Sequence, residues 1–306
     1  VAGETHRLNP NRSDDMCDQD HFEHDLARYA ERAALTRRQL GVLSAGVGLS
    51  LLLPRAANAL DVSERDALIA TPDGTADCHF VHPASGAHAG VLIWPDILGL
   101  RPAFRQIGRR LAEAGYAVLV VNPFYRSKRA PIAPAGASFA DQATRDLVMP
   151  LARSLNATTH VTDAKAFVAW LDAQPAVDKA RKLGTTGYCM GGPITLRTAA
   201  ALPERIGAAA SFHGGGLVTD KPDSPHLLVP QIKAQYLFAV AENDDAREPE
   251  AKNVLRDAFA KASLAAEIEV YPAAHGWCPP DSPVYDEAQA ERAWGRMLAL
   301  FGRALG

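Results

Sequence analysis

From residue 60 onward, short apolar runs alternate with stretches whose apolar residues recur every three or four positions. Residues 90–94 (GVLIW) and 117–121 (AVLVV) carry no charged side chain and show no in–out alternation. Runs of that length and character predict strands buried on both faces. Residues 76–81, 183–186, 208–212, 236–241 and 266–271 are further strand candidates. Helical patterns fall between them at 102–114, 141–154, 162–173, 192–201, 249–262 and 286–305, and a proline-rich loop covers 122–138. Pro102 sits where a helix tolerates proline, because an amide in the first turn lacks an intrahelical acceptor anyway. Strand–helix alternation predicts an α/β fold: a mostly parallel twisted sheet of seven or eight strands with helices on both faces. Residues 60–306 form one such domain in this reading.

The first sixty residues follow a different pattern. Polar residues dominate 1–35, then Arg37-Arg38 precede an uncharged stretch at 41–53, which Pro54 breaks before Ala57-Asn58-Ala59. The stretch falls short of the roughly 20 apolar residues a bilayer span needs, but it suits the apolar region of a signal peptide. The paired arginines resemble a twin-arginine export signal. The expectation is a leader over 1–59, with Met16 as a candidate initiator and cleavage after Ala59. The mature chain would then be exported to the periplasm without stable membrane anchoring. The alternative is a buried helix behind a basic cap.

Composition narrows the partners. The 306 residues are 47% hydrophobic and 22% charged, with a formal charge of −3, so a disordered chain is excluded. No basic footprint exists for nucleic acid. Four cysteines, Cys17, Cys78, Cys189 and Cys278, are too few and too scattered for a disulfide scaffold or a zinc site. Neither a Gly-x-Gly-x-x-Gly motif nor a P-loop occurs, so no cofactor and no metal are expected. The partner expected is a small molecule, and a monomer is the favoured state.

Candidate chemistry lies at three turns. Gly187-Tyr188-Cys189-Met190-Gly191-Gly192 stands between an apolar strand and a small-residue helix, the context of a nucleophile elbow. Glycines flank the nucleophile because side chains in so tight a turn would collide with neighbouring strands. The strand at 236–241 runs into Glu242-Asn243-Asp244-Asp245, and the strand at 266–271 into Pro272-Ala273-Ala274-His275-Gly276-Trp277. Cys189, then Asp244 or Asp245, then His275 is the nucleophile–acid–base order of the α/β-hydrolase fold.

With these motifs and Trp94-Pro95-Asp96-Ile97-Leu98-Gly99-Leu100, the chain resembles the dienelactone hydrolase family over nearly all of 62–306. The resemblance implies an ester or lactone hydrolase in which Cys189 is nucleophile, His275 base and Asp244 orienting acid, with Asp245 the alternative. It implies oxyanion-hole amides at Ile97 and Met190. It also implies a carboxylate at Asp96 that meets the resting thiol, one methylene shorter than the usual Glu. An arginine of founding members is replaced by Pro279, a second corresponds to Arg145, and the tyrosine that accompanies it is replaced by Met149. Arg126, Trp277 and Tyr188 are further candidates for contact with substrate. His213-Gly214-Gly215-Gly216 reads as a loop-shaping run. A thioesterase or acyltransferase on the same triad, a non-catalytic binding protein and a redox-responsive Cys189–Cys278 pair are the alternative functions.

Overall fold

A computed structural model describes residues 59–306; the expected leader and its arginine pair lie outside the described residues. Eight strands form one sheet in the order β1-β2-β4-β3-β5-β6-β7-β8. They are β1 (Val62–Thr71), β2 (Gly74–Pro83), β3 (Gly90–Trp94), β4 (Ala117–Val121), β5 (Leu183–Tyr188), β6 (Ile206–Phe212), β7 (Gln235–Ala241) and β8 (Ala266–Tyr271). β2 runs antiparallel to β1 and β4, and the remaining pairings are parallel.

Strand alternation divides the core into two layers. Val91 and Ile93 of β3 point into a cluster with Phe104, Leu111, Met297 and Phe301, which come from helices α1 (Pro102–Glu113) and α7 (Glu287–Ala304). Leu92 and Trp94 point the other way, toward Phe167, Leu171, Leu196 and Phe259. Those residues belong to α3 (Ala157–Asp172), α4 (Gly191–Ala201) and α6 (Ala251–Lys261). α2 (Gln142–Arg153) and the short α5 (Glu242–Arg247) complete the helices named here.

β1 and α3 differ from the pattern read along the chain. β1 was not anticipated: residues 63–66 are all exposed and show no alternation. It is an edge strand whose charges are answered by α1 through Arg105–Asp66 and Arg109–Glu64 pairs. α3 starts five residues earlier than the apolar period suggests. Asn156 caps it, accepting from the Thr158 and Thr159 amides while Thr159 Oγ1 accepts from the Asn156 amide.

The connection leaves β3 toward β4 on one side and returns to β5 on the other. That reversal opens a crevice at the carboxyl ends of β3 and β5, the usual ligand position in an open α/β sheet. The register Trp94↔Gly187 sets the loop after β3 beside the turn after β5.

Candidate active site

Cys189 occupies the turn between β5 and α4 with φ 51°, a left-handed conformation uncommon for a residue with a side chain. Its amide donates to Phe212 O on β6, and its carbonyl accepts from the Gly192 amide. The flanking glycines are required by space. A Cβ on Gly187 would stand 2.0 Å from Gly191 O, and one on Gly191 would stand 2.3 Å from Trp94 O. The turn thus holds the thiol at the amino end of α4, where unsatisfied amides favour negative charge.

His275 lies past the end of β8, and its position is fixed twice by α5, the short helix after β7. Asn243 Oδ1 accepts from the His275 amide at 2.8 Å, and Asp244 Oδ2 meets His275 Nδ1 at 2.7 Å. Asp244 Oδ1 accepts from Arg247 at 2.5 Å. Asp245 turns away to Lys252, so of the two aspartates Asp244 is the one on the imidazole. Burial opposes a charge on His275, yet the Asp244 carboxylate and the Cys189 side chain outweigh it and raise the imidazole well above its usual range. Nε2 has no partner of hydrogen-bonding geometry among the described residues, and the interaction with Cys189 occupies that side of the ring.

The amides of Ile97 and Met190 donate to no other backbone group among the described residues. Asp96, between β3 and Ile97, accepts from the Leu98 amide at 2.9 Å. Both of its oxygens are also taken by Arg101, at 2.6 and 2.9 Å. Arg101 then spans to Asp281 at 2.7 and 3.0 Å, tying the loop after β3 to the loop after His275.

Cys189, His275 and Asp96 line a cleft of about 970 Å³, counted out to its mouth, with Ile97, Leu98, Phe139, Pro283 and Val284 as its apolar wall; Asp244 and Met190 are not among its lining residues. Arg101, Arg247, Asn243, Asp281 and His213 also line it and were not anticipated as site residues. Each stands near the carboxyl end of a strand or in a loop that follows one, which is the signal that could have found them. Four anticipated substrate contacts are not among the lining residues. Arg126 is paired with Asp73 and Asp163. Arg145 donates to the carbonyls of Phe139 and Ala140 and to Gln142, so it shapes the loop that carries Phe139. Trp277 stacks on Tyr271 and Tyr188 on Phe212, both rings buried. Cys278 is buried in the core, and burial pushes its thiol well above the ordinary range. Among the described residues no group of three His, Cys, Asp or Glu converges as a metal site would require.

A thiol on a strand–turn–helix elbow, an acid–imidazole pair after the next strands and a cleft at the sheet's carboxyl edge define an α/β hydrolase. Within that class the chain belongs to the dienelactone hydrolase family, whose model matches residues 77–305. A carboxymethylenebutenolidase of Rhodococcus opacus is 27% identical over 76% of this chain and 88% of its own length. One from Cupriavidus pinatubonensis is 25% identical over 71% and 87%. Among solved structures, a dienelactone hydrolase-like promiscuous phosphotriesterase from metagenomic libraries superposes with a TM-score of 0.66 at 22% identity. It covers 80% of this chain and 99% of its own.

Proposed function

We propose that the chain hydrolyses a small ester or lactone through an acyl-thioester on Cys189, with His275 as the proton carrier and Asp244 as its orienting acid. The observation that carries this reading is the 2.7 Å Asp244–His275 contact beside a cysteine held on a left-handed elbow. An imidazolium beside a thiol favours the thiolate, which attacks the substrate carbonyl carbon. The carbonyl oxygen becomes an oxyanion and accepts from the Ile97 and Met190 amides, each contributing about 2.7–4 kcal/mol by comparison with similar donors. Collapse breaks the ester bond, and His275 protonates the departing alkoxide. Water then gives a proton to His275 and attacks the thioester, releasing the acid and the thiol. The lactone-opening names of the relatives support a cyclic ester among the substrates.

Rapid mixing with an activated ester, acid quench and peptide mass mapping tests this reading. The acyl mass is expected on Cys189 and absent from Cys189→Ala, whose turnover falls by on the order of 10⁴-fold. Acyl on another residue, or an active Cys189→Ala, overturns it. Faster turnover of acyl thioesters than of matched oxygen esters assigns the site to a thioesterase instead.

The export reading belongs to the same proposal and rests on Arg37-Arg38, the stretch at 41–53 and Ala57-Asn58-Ala59. Replacing both arginines by lysine is expected to hold the precursor in the cytoplasm. Normal yield of processed protein outside the inner membrane would refute a twin-arginine route.

A further inference from the structure

His213 follows β6 and leads into the Gly214-Gly215-Gly216 run with φ 39°, its amide anchored to Ala239 O on β7. The residue is completely buried. Its ring packs edge-on against two others, His275 at 5.1 Å and Trp277 at 5.0 Å between centroids. Neither ring nitrogen has a partner beyond its own residue among the described residues. The Trp277 indole N–H, in the neighbouring ring, is equally unpartnered, while His275 keeps its interaction with Cys189 until that sulfur is acylated.

A buried polar atom without a partner costs about 1–3 kcal/mol, and a phenylalanine would fill this space without that cost. Unpartnered buried nitrogens on rings in contact are a setting in which proteins hold an internal water, which makes about three hydrogen bonds. His213 and His275 meet edge to face, and both line the cleft that Cys189 lines, the space from which a water would approach the two rings. Burial, and then the charge on His275, push the His213 imidazole well below its usual range. The ring is therefore neutral and offers one acceptor and one donor.

We propose that His213 holds the hydrolytic water of deacylation, a role that rests on the acyl-thioester reading above. The water oxygen bonds to the acyl carbon while one of its hydrogens passes to His275 Nε2. The other stays on the oxygen, donated to the acceptor nitrogen of His213. The carbon–sulfur bond then breaks, the sulfur takes the proton from His275, and the acid leaves. Aiming the second hydrogen at His213 turns a lone pair of the water toward the thioester carbonyl, which lies above Cys189 in the same cleft.

Two variants separate the nitrogen from the ring and from the backbone. His213→Phe keeps an aromatic ring against His275 and Trp277 but has no acceptor. His213→Asn keeps an acceptor and tolerates positive φ. With a p-nitrophenyl ester in stopped flow, His213→Phe is expected to give a full burst of nitrophenol followed by steady turnover slowed about 10²-fold. Acyl-Cys189 should accumulate in the quenched enzyme. Hydroxylamine, a nucleophile that needs no positioned water, should restore turnover, and His213→Asn should recover a substantial part of it. A burst that slows in step with the steady phase would overturn the proposal and assign His213 to acylation or packing. So would unchanged deacylation in His213→Phe. A wild-type enzyme that never carries acyl on Cys189 overturns the covalent reading itself. Normal acylation and normal deacylation in His213→Phe sink this proposal alone.

Discussion

Asp96 stands where the family's thiol-regulating carboxylate belongs, yet its two oxygens are engaged by Arg101 and by the Leu98 amide. A carboxylate neutralised by a bidentate guanidinium has a weak influence on a neighbouring thiol. The same charge released from its partner shifts a nearby group by about 1–3 pKa units toward the protonated form. The geometry therefore favours Asp96 as the holder of the turn that presents the Ile97 amide. Asp96→Asn keeps an oxygen for the Leu98 amide and is expected to change alkylation of Cys189 by iodoacetamide at pH 7 by less than about threefold. Arg101→Gln leaves Asp96 and Asp281 facing the cleft without their cation, and alkylation should slow by about tenfold, the consequence of one pKa unit. A tenfold acceleration in Asp96→Asn would show that the carboxylate restrains the thiol after all. Asp244 shows the same dependence on neighbours: its side chain divides between His275 and Arg247, while the adjacent Asp245 is committed to Lys252.

The elements most legible in the chain are those whose environment is uniform. β3 and β4 occupy 90–94 and 117–121, the bounds the apolar runs suggest, and the edge strand β8 was legible at 266–271 because its glutamates alternate with apolar residues. β1 was illegible because an edge strand has one face in solvent, and its exposed charges break the period-two signal. α5 was missed for a related reason. Glu242-Asn243-Asp244-Asp245 reads as a turn, and this six-residue helix buries no residue of its own. Cys189, Asp244 and His275 were legible because each follows a strand and their order along the chain is restrictive. Arg101, Arg247 and His213 also come after strands but belong to no ordered motif. The Arg101 pair with Asp281 spans 180 residues, and nothing in local periodicity anticipates a contact of that range. Arg126 and Arg145 illustrate the converse: a cation in a plausible loop says nothing of its partner until the fold brings one to it.

Across the molecule, histidines shifted in opposite directions give stability a pH dependence of two signs. His160, on α3, is pushed down to about 3 by burial and by Arg197 and Arg126, and His213 is pushed down as well. Below an unfolded value of about 6.5, the unfolded chain binds protons at these rings that the native chain refuses. Stability is therefore lost as pH falls from about 6.5, and for His160 the loss continues until about pH 3. His275 has the opposite sign. Its raised imidazole binds a proton in the native state that the unfolded chain has released, so its contribution is complete below about 6.5 and is lost as pH rises through the native value. Taken by themselves, these three rings favour the folded state most near about pH 6.5. Replacing His160 by glutamine removes one proton acceptor from the unfolded chain, so the fall in Tm between pH 7 and pH 4 should shrink. A change of about 2–4 °C corresponds to about 1 kcal/mol in a domain of this size. His275→Gln should instead flatten the decline between pH 7 and pH 9 and leave the acid side as it was. Calorimetric scans of both variants against wild type at pH 4, 5.5, 7 and 9 separate the two effects. An acid slope unchanged in His160→Gln would mean that this ring accepts a proton in the folded protein.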